Sequence, residues 1–150
     1  MKSVLRFDTN SDEETRMLGS RLAPLLPQQG VVLLIGNLGA GKTTLAKGIV
    51  EALGAAPADE VSSPTFTLIH EYGDPVRIYH VDLYRLDTSE ETRRVGLEEL
   101  FERPALTLIE WGERFPELMP EERAEIRIAH AGEDRRTITL SFRAASTKPN

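Results

Sequence analysis

An eight-residue turn constrains this chain more than any other feature: Gly36-Asn37-Leu38-Gly39-Ala40-Gly41-Lys42-Thr43, set between two apolar segments of different period. Before it, Val31 to Ile35 is an unbroken apolar run, the pattern of a strand buried on both faces of a parallel sheet. After it, Leu45, Ile49 and Leu53 recur every four residues, which predicts a helix stopped at Gly54. The turn fits G-x-x-x-x-G-K-[ST], and strand-turn-helix is the setting that a phosphate-binding P-loop requires. Its glycines let successive backbone N–H groups converge on phosphate oxygens, and the helix start adds its positive end. On this reading Gly39, Ala40, Gly41, Lys42, Thr43 and Thr44 contact a nucleotide. Lys42 bridges the β- and γ-phosphates, Thr43 places its hydroxyl on Mg2+, and Thr44 reaches the α-phosphate. Lys42 is one of four lysines beside fourteen arginines, so it is not drawn from a pool of interchangeable surface lysines.

Elsewhere the patterns predict a short strand over Val4 to Phe7 and a Ser11-x-x-Glu14 capping box. The helix it opens carries Leu18, Leu22 and Leu25 on one face and closes at Pro27. Thr65 to Tyr72 and Val76 to Val81 flank Gly73-Asp74-Pro75, a connection short enough for an antiparallel hairpin. Ser89 can cap a helix running to about Phe101, and Ala105 to Ile109 reads as a second buried strand. Ile126 and Ile128, then Ile138, Leu140 and Phe142, alternate with polar residues around Gly132 to Asp134, predicting a half-exposed hairpin. The expectation is a single α/β, P-loop NTPase-like three-layer domain over residues 1–143, its parallel core strands flanked by antiparallel ones. A polar tail from Ala144 to Asn150 follows.

A P-loop enzyme needs a carboxylate beyond a second strand to hold Mg2+ and its waters. Glu110 ends the Ala105 to Ile109 run, at the ligand-binding edge of an α/β sheet, and is assigned to the metal. Asp82 follows Ile78 to Val81, a strand expected to run opposite to its neighbour. It is assigned to the γ-phosphate or attacking-water region. Pro64 holds Ser63 extended, which would aim Thr65 toward the nucleotide or simply lead the chain into a strand. Trp111 would fill core on local grounds. His70 and His80 read as strand residues and not as metal ligands, because no zinc-type spacing accompanies them.

The chain carries 24 acidic and 18 basic side chains and a formal net charge of -6, a balance unsuited to wrapping RNA or anionic membrane. Between Asp87 and Glu125 twelve acids face five arginines, so the acidity is regional: either a solvated face or a docking surface for a basic partner. With no cysteine, disulfides, thiolate-bound metals and thiol nucleophiles are excluded. No apolar leader or membrane-length run is present, and a cytoplasmic protein is expected.

Four segments together resemble the TsaE (YjeE) family of small bacterial ATPases. They are Leu38 to Thr44; Ser62-Ser63-Pro64-Thr65-Phe66-Thr67-Leu68; Tyr79-His80-Val81-Asp82-Leu83-Tyr84-Arg85-Leu86; and Leu108-Ile109-Glu110-Trp111. The resemblance implies an ATPase acting with TsaB and TsaD in threonylcarbamoyl-adenosine modification of tRNA, TsaD performing the transfer. It implies Mg2+ on Thr43 and Glu110, and catalytic importance for Lys42, Asp82, Glu110 and Thr65. Ser63, Pro64, Phe66, His80, Tyr84, Arg85 and Trp111 become switch or partner residues. Asn37 departs from the family, which often has aspartate there; the charge of the loop changes but its backbone does not. Slow hydrolysis without partners is expected, since neither a cis arginine finger nor a dedicated base is evident. A nucleotide-responsive adaptor and a small-molecule P-loop kinase are the competing readings, and the guanine-reading N-K-x-D sequence is absent.

Overall fold

The computed structural model describes residues 4–65 and 67–144; Phe66 and the expected tail beyond Ala144 lie outside the described residues. Seven strands form one sheet: β1 (Val4–Thr9), β2 (Gly30–Ile35), β3 (Ile69–Tyr72), β4 (Ile78–Asp82), β5 (Leu106–Glu110), β6 (Arg123–His130) and β7 (Arg136–Arg143). Their order is β1-β7-β6-β2-β5-β4-β3. β2 pairs in parallel with both β5 and β6, and β5 with β4. Antiparallel β7 and β1 extend one side and antiparallel β3 the other. The expected parallel core with antiparallel flanks is therefore present.

Strand parity sorts the core into two layers. Val32 and Leu34 face the helices α1 (Asp12–Leu22) and α2 (Lys42–Ala52), packing with Leu18, Leu22, Leu45, Ile49, Leu108 and Ile126. Val31 and Leu33 face the opposite layer, made of the short helix α4 (Leu97–Phe101) and 3-10 turns near Phe115 and Met119. Two glycines allow α1 and α2 to touch backbone to backbone: a Cβ on Gly48 would lie 1.9 Å from the Arg16 carbonyl oxygen, and one on Gly19 2.5 Å from that of Leu45.

Several local expectations need correction. The Ser11 hydroxyl accepts from the Glu14 amide as predicted, but Glu14 returns its carboxylate to the amide of Asn10, one residue early. Helix α1 ends at Leu22, and Pro24 opens a 3-10 turn over Ala23–Leu25, which leaves Leu25 exposed. The segment expected as one helix from Ser89 to Phe101 is two. Thr88 caps α3 (Ser89–Arg93), and Gly96, at a φ of 88°, turns the chain before α4. β3 begins at Ile69, so Ser63 and Thr65 belong to a loop. Among the described residues no helix is long and apolar enough to cross a membrane.

Candidate functional site

The direction of β4 decides where the site lies. Although β4 forms a hairpin with β3, its other edge pairs in parallel with β5, in register Ile78↔Leu106 through Asp82↔Glu110. The antiparallel pairing expected for the Asp82 strand within its hairpin is present, and the parallel pairing of its other edge with β5 is what the short connection does not reveal. Asp82 and Glu110 leave the sheet side by side, at the same carboxyl edge where β2 delivers Gly36. Both belong to the strand face that looks toward α1 and α2, since Ile78, Leu106 and Leu108 of the same parity lie in that layer.

From β2 the chain passes so close to β6 that a Cβ on Gly36 would meet the Ile128 carbonyl oxygen at 2.7 Å. Gly39 and Gly41 take positive φ, 76° and 111°, which brings the turn back to the start of α2 at Lys42. Ala40 is buried under the turn, and its carbonyl accepts a 2.9 Å hydrogen bond from Nε of Arg136 at the start of β7. Lys42 is 5% exposed: its Nζ donates to the Gly36 carbonyl at 2.7 Å and lies 3.7 Å from the Trp111 ring centroid. Burial pushes the Lys42 ammonium below the ordinary lysine range, while Glu110, Glu113 and Asp82 pull it back up.

The acids are held by specific donors. Glu110 is 3% exposed, and its Oε2 lies 2.6 Å from Nε2 of the fully buried His80. Asp82 accepts at Oδ2 from the hydroxyls of Thr65 (2.9 Å) and Ser63 (3.2 Å), and at Oδ1 from the Tyr84 amide (2.8 Å). With each hydroxyl proton given to Asp82, the Ser63 and Thr65 oxygens sit side by side, 2.8 Å apart, and Pro64 between them is buried. Trp111, at a φ of 67°, turns off the end of β5 and packs against Tyr84, ring centroids 5.2 Å apart.

These groups enclose an open cavity of about 390 Å3. Gly39, Gly41, Lys42, Thr43 and Thr44 line one side, Ser63, Thr65, Asp82, Tyr84, Glu110 and Trp111 the other, with Asp12 and Arg136 at the margin. A larger cleft of about 950 Å3 opens at the amino ends of β2 and β6; Leu25, Leu26, Pro27, Phe101 and Phe142 line it with Gln29, Glu122, Arg123 and Arg143, but it holds neither a glycine-rich turn at a helix start nor a pair of buried carboxylates. Size favours that cleft and chemistry the smaller cavity; the chemistry decides, because phosphate and cation recognition need convergent polar groups.

Most residues singled out from sequence thus meet in one place. Arg85 is exposed on the loop after β4 and does not line the cavity, while His80 is interior and presents no surface to a partner. Sequence reasoning missed Asp12, Glu113 and Arg136, the last brought to Ala40 across 96 residues with no local signal. The Asp87 to Glu125 acidity is not one surface. Glu110 is in the site, and Glu125 is buried between Arg123 and Arg127. Glu90, Glu91, Glu98, Glu99 and Glu102 are exposed. Among the described residues no three His, Cys, Asp or Glu side chains cluster to hold a metal by themselves. The hydroxyl of Thr43 and the carboxylate of Glu110 are hard oxygen donors, the set suited to Mg2+, which commonly takes one or two protein ligands and completes its shell with phosphate and water.

Comparison with known proteins gives a consistent picture. A Bacillus subtilis (strain 168) protein named tRNA threonylcarbamoyladenosine biosynthesis protein TsaE is 41% identical over 138 residues, 91% of this chain and 85% of its own. A Treponema pallidum protein of the same name is 36% identical over 137 residues, 91% of this chain and 100% of its own. The crystal structure of Bacillus subtilis YdiB superposes with a TM-score of 0.77 at 36% identity, covering 96% of this chain and 88% of that one. The model of the family described as threonylcarbamoyl adenosine biosynthesis protein TsaE matches residues 9–138, and the chain belongs to that family.

Proposed function

We propose that the protein is a Mg2+-dependent ATPase that works with TsaB- and TsaD-like proteins in threonylcarbamoyl-adenosine modification of tRNA, in the cytoplasm. The observation that carries this reading is the meeting of the Gly36–Thr43 turn with Asp82 and Glu110 at one sheet edge, in a chain of this family. The turn and the start of α2 cradle the phosphates with backbone N–H groups; Lys42 moves from the Gly36 carbonyl to a phosphate oxygen, and Thr44 contacts the α-phosphate. Thr43 and Glu110 hold Mg2+, which when bound neutralises phosphate charge. Asp82 orders Ser63 and Thr65 against the γ-phosphate region and orients the water that attacks it, giving ADP and phosphate. Among the described residues Arg136 is the arginine that lines the cavity, and it is engaged with three backbone carbonyls, so turnover is slow until a partner completes the site.

A second reading is favoured by the Asp82 contacts. Because one carboxylate ties down Ser63, Thr65 and Tyr84, nucleotide could act chiefly by ordering this surface for partners. Reconstituted tRNA modification tests both. Lys42→Ala is expected to lose ATP hydrolysis by on the order of 10²-fold and modification with it, and a fully active Lys42→Ala protein overturns the reading. Glu110→Ala that assembles and supports full modification without hydrolysis decides for the adaptor.

A further inference from the structure

The ATPase reading uses Glu110 and leaves the side chain that touches it without a task. His80 sits two residues before Asp82 on β4, opposite Leu108 in register, on a face whose neighbours Ile78, Leu106 and Leu108 are apolar. A leucine would fill that place without a desolvation cost. The imidazole instead is fully buried, bonds Glu110 Oε2 through Nε2 at 2.6 Å, and leaves Nδ1 buried with no partner among the described residues. An ionised carboxylate only accepts, so the Nε2 proton belongs in this bond. Nδ1 is then the lone-pair nitrogen, for which a missing partner is less costly than for a buried N–H. A ring kept in an apolar layer with one nitrogen unsatisfied is retained for what the other nitrogen does.

We propose that His80 is a positioning residue: its Nε2–H fixes Oε2 of Glu110 and thereby the rotation of the carboxylate, leaving Oε1 to bind the cation shared with Thr43 and the nucleotide. The inference rests on the assignment of Glu110 to the cation. A loosely held carboxylate would spread over several orientations, and each binding event would have to order it. The buried imidazole removes that freedom in advance.

Two variants and one spectrum test this. His80→Leu fills the space without a donor, whereas His80→Gln places an amide N–H near the position of Nε2. Mn2+ binding, followed by electron paramagnetic resonance with a non-hydrolysable ATP analogue present, is expected to weaken about 10- to 100-fold in His80→Leu and to recover in His80→Gln. Affinity for the analogue without metal stays unchanged in both. In the unaltered protein, nitrogen-detected NMR is expected to show the Nε2–H tautomer of His80, its proton moving upfield in Glu110→Gln. An Nδ1–H tautomer, or wild-type Mn2+ affinity in a folded His80→Leu, overturns the positioning role while leaving nucleotide binding intact. If the unaltered protein binds no ATP analogue at all, the ATPase reading fails and this inference fails with it.

Discussion

Replacing Gly48 with alanine adds one methyl group where α1 crosses α2, and its first neighbour is a backbone oxygen, that of Arg16, at 1.9 Å. An ordinary contact needs at least 3.4 Å, so the helices must part by roughly 1.5 Å, and no side-chain rotation can absorb the strain. Overpacking of a dense interior costs typically 1–3 kcal/mol, and a backbone-to-backbone clash belongs at the upper end, about 3 kcal/mol. Alanine recovers about 1 kcal/mol through its greater helix propensity. The net loss of about 2 kcal/mol corresponds, for a domain of this size, to a melting temperature lower by roughly 4–8 °C. The Ser20 hydroxyl bond to the Gly48 carbonyl, 3.3 Å long, stretches as the helices part. Because α2 begins at Lys42, the same displacement moves Lys42 and Thr43 relative to Glu110, and nucleotide affinity falls with stability. Thermal melts and nucleotide titrations of Gly48→Ala read both effects. A variant as stable as the parent, or more so, refutes the claim that the glycine crossing sets the position of α2.

Two further outcomes follow from the acids around Lys42. Asp82→Ala removes the acceptor shared by the Ser63 and Thr65 hydroxyls and the Tyr84 amide, and loss of a bond to a charged group, worth about 1.5–3 kcal/mol, should quicken hydrogen exchange at the Tyr84 amide about 10- to 100-fold; unchanged exchange counts against the tether. Burial pushes the Glu113 carboxyl above the ordinary glutamate range, so its contribution to stability is fully present below the unfolded pKa and lost as pH rises through the raised folded value. Glu113→Gln is expected to melt higher than the parent above that window and to lose the advantage below it, and a pH-independent difference in melting temperature contradicts this.

The strands and the turn were legible because their signals are local. An unbroken apolar run, a four-residue period and a glycine pattern each survive in the final structure as β2, α2 and the loop between them. What sequence could not supply was the second neighbour of each strand. The short Gly73-Asp74-Pro75 connection fixes β3 against β4 but is silent on β4 against β5, and that pairing places Asp82 beside Glu110. The half-exposed hairpin of β6 and β7 hid a similar fact: β6 also pairs in parallel with β2, which buries Ile126 and Ile128 in the helical layer. Gly96 and Pro24 were readable breakers that outweighed the apolar periodicity around them, and the helix bounds moved accordingly. Local pattern alone reads Trp111 as core; its half-buried ring does pack against the core layer and also lies over Lys42.

Charge at the cavity sharpens the proposed chemistry. Asp12, Asp82 and Glu110 line it against Lys42 and Arg136, so the walls are net negative before any ligand arrives, and Glu113 adds to the field at Lys42. A pair of like charges about 5 Å apart at an effective dielectric near 20 repels by roughly 3 kcal/mol, and the helix start at Lys42 offsets only about half a charge. A triphosphate alone would therefore be opposed by the acids the reaction needs. A divalent cation held by Thr43 and Glu110 would offset that repulsion, and on the proposed reading the cation would then assist nucleotide recognition as well as hydrolysis. On the proposed reading nucleotide and cation would enter together, and Lys42, now held by the Gly36 carbonyl and the Trp111 ring, would turn to the phosphate. The Mn2+ titration described for His80 reads this coupling directly, as a gain in ATP-analogue affinity when the metal is present.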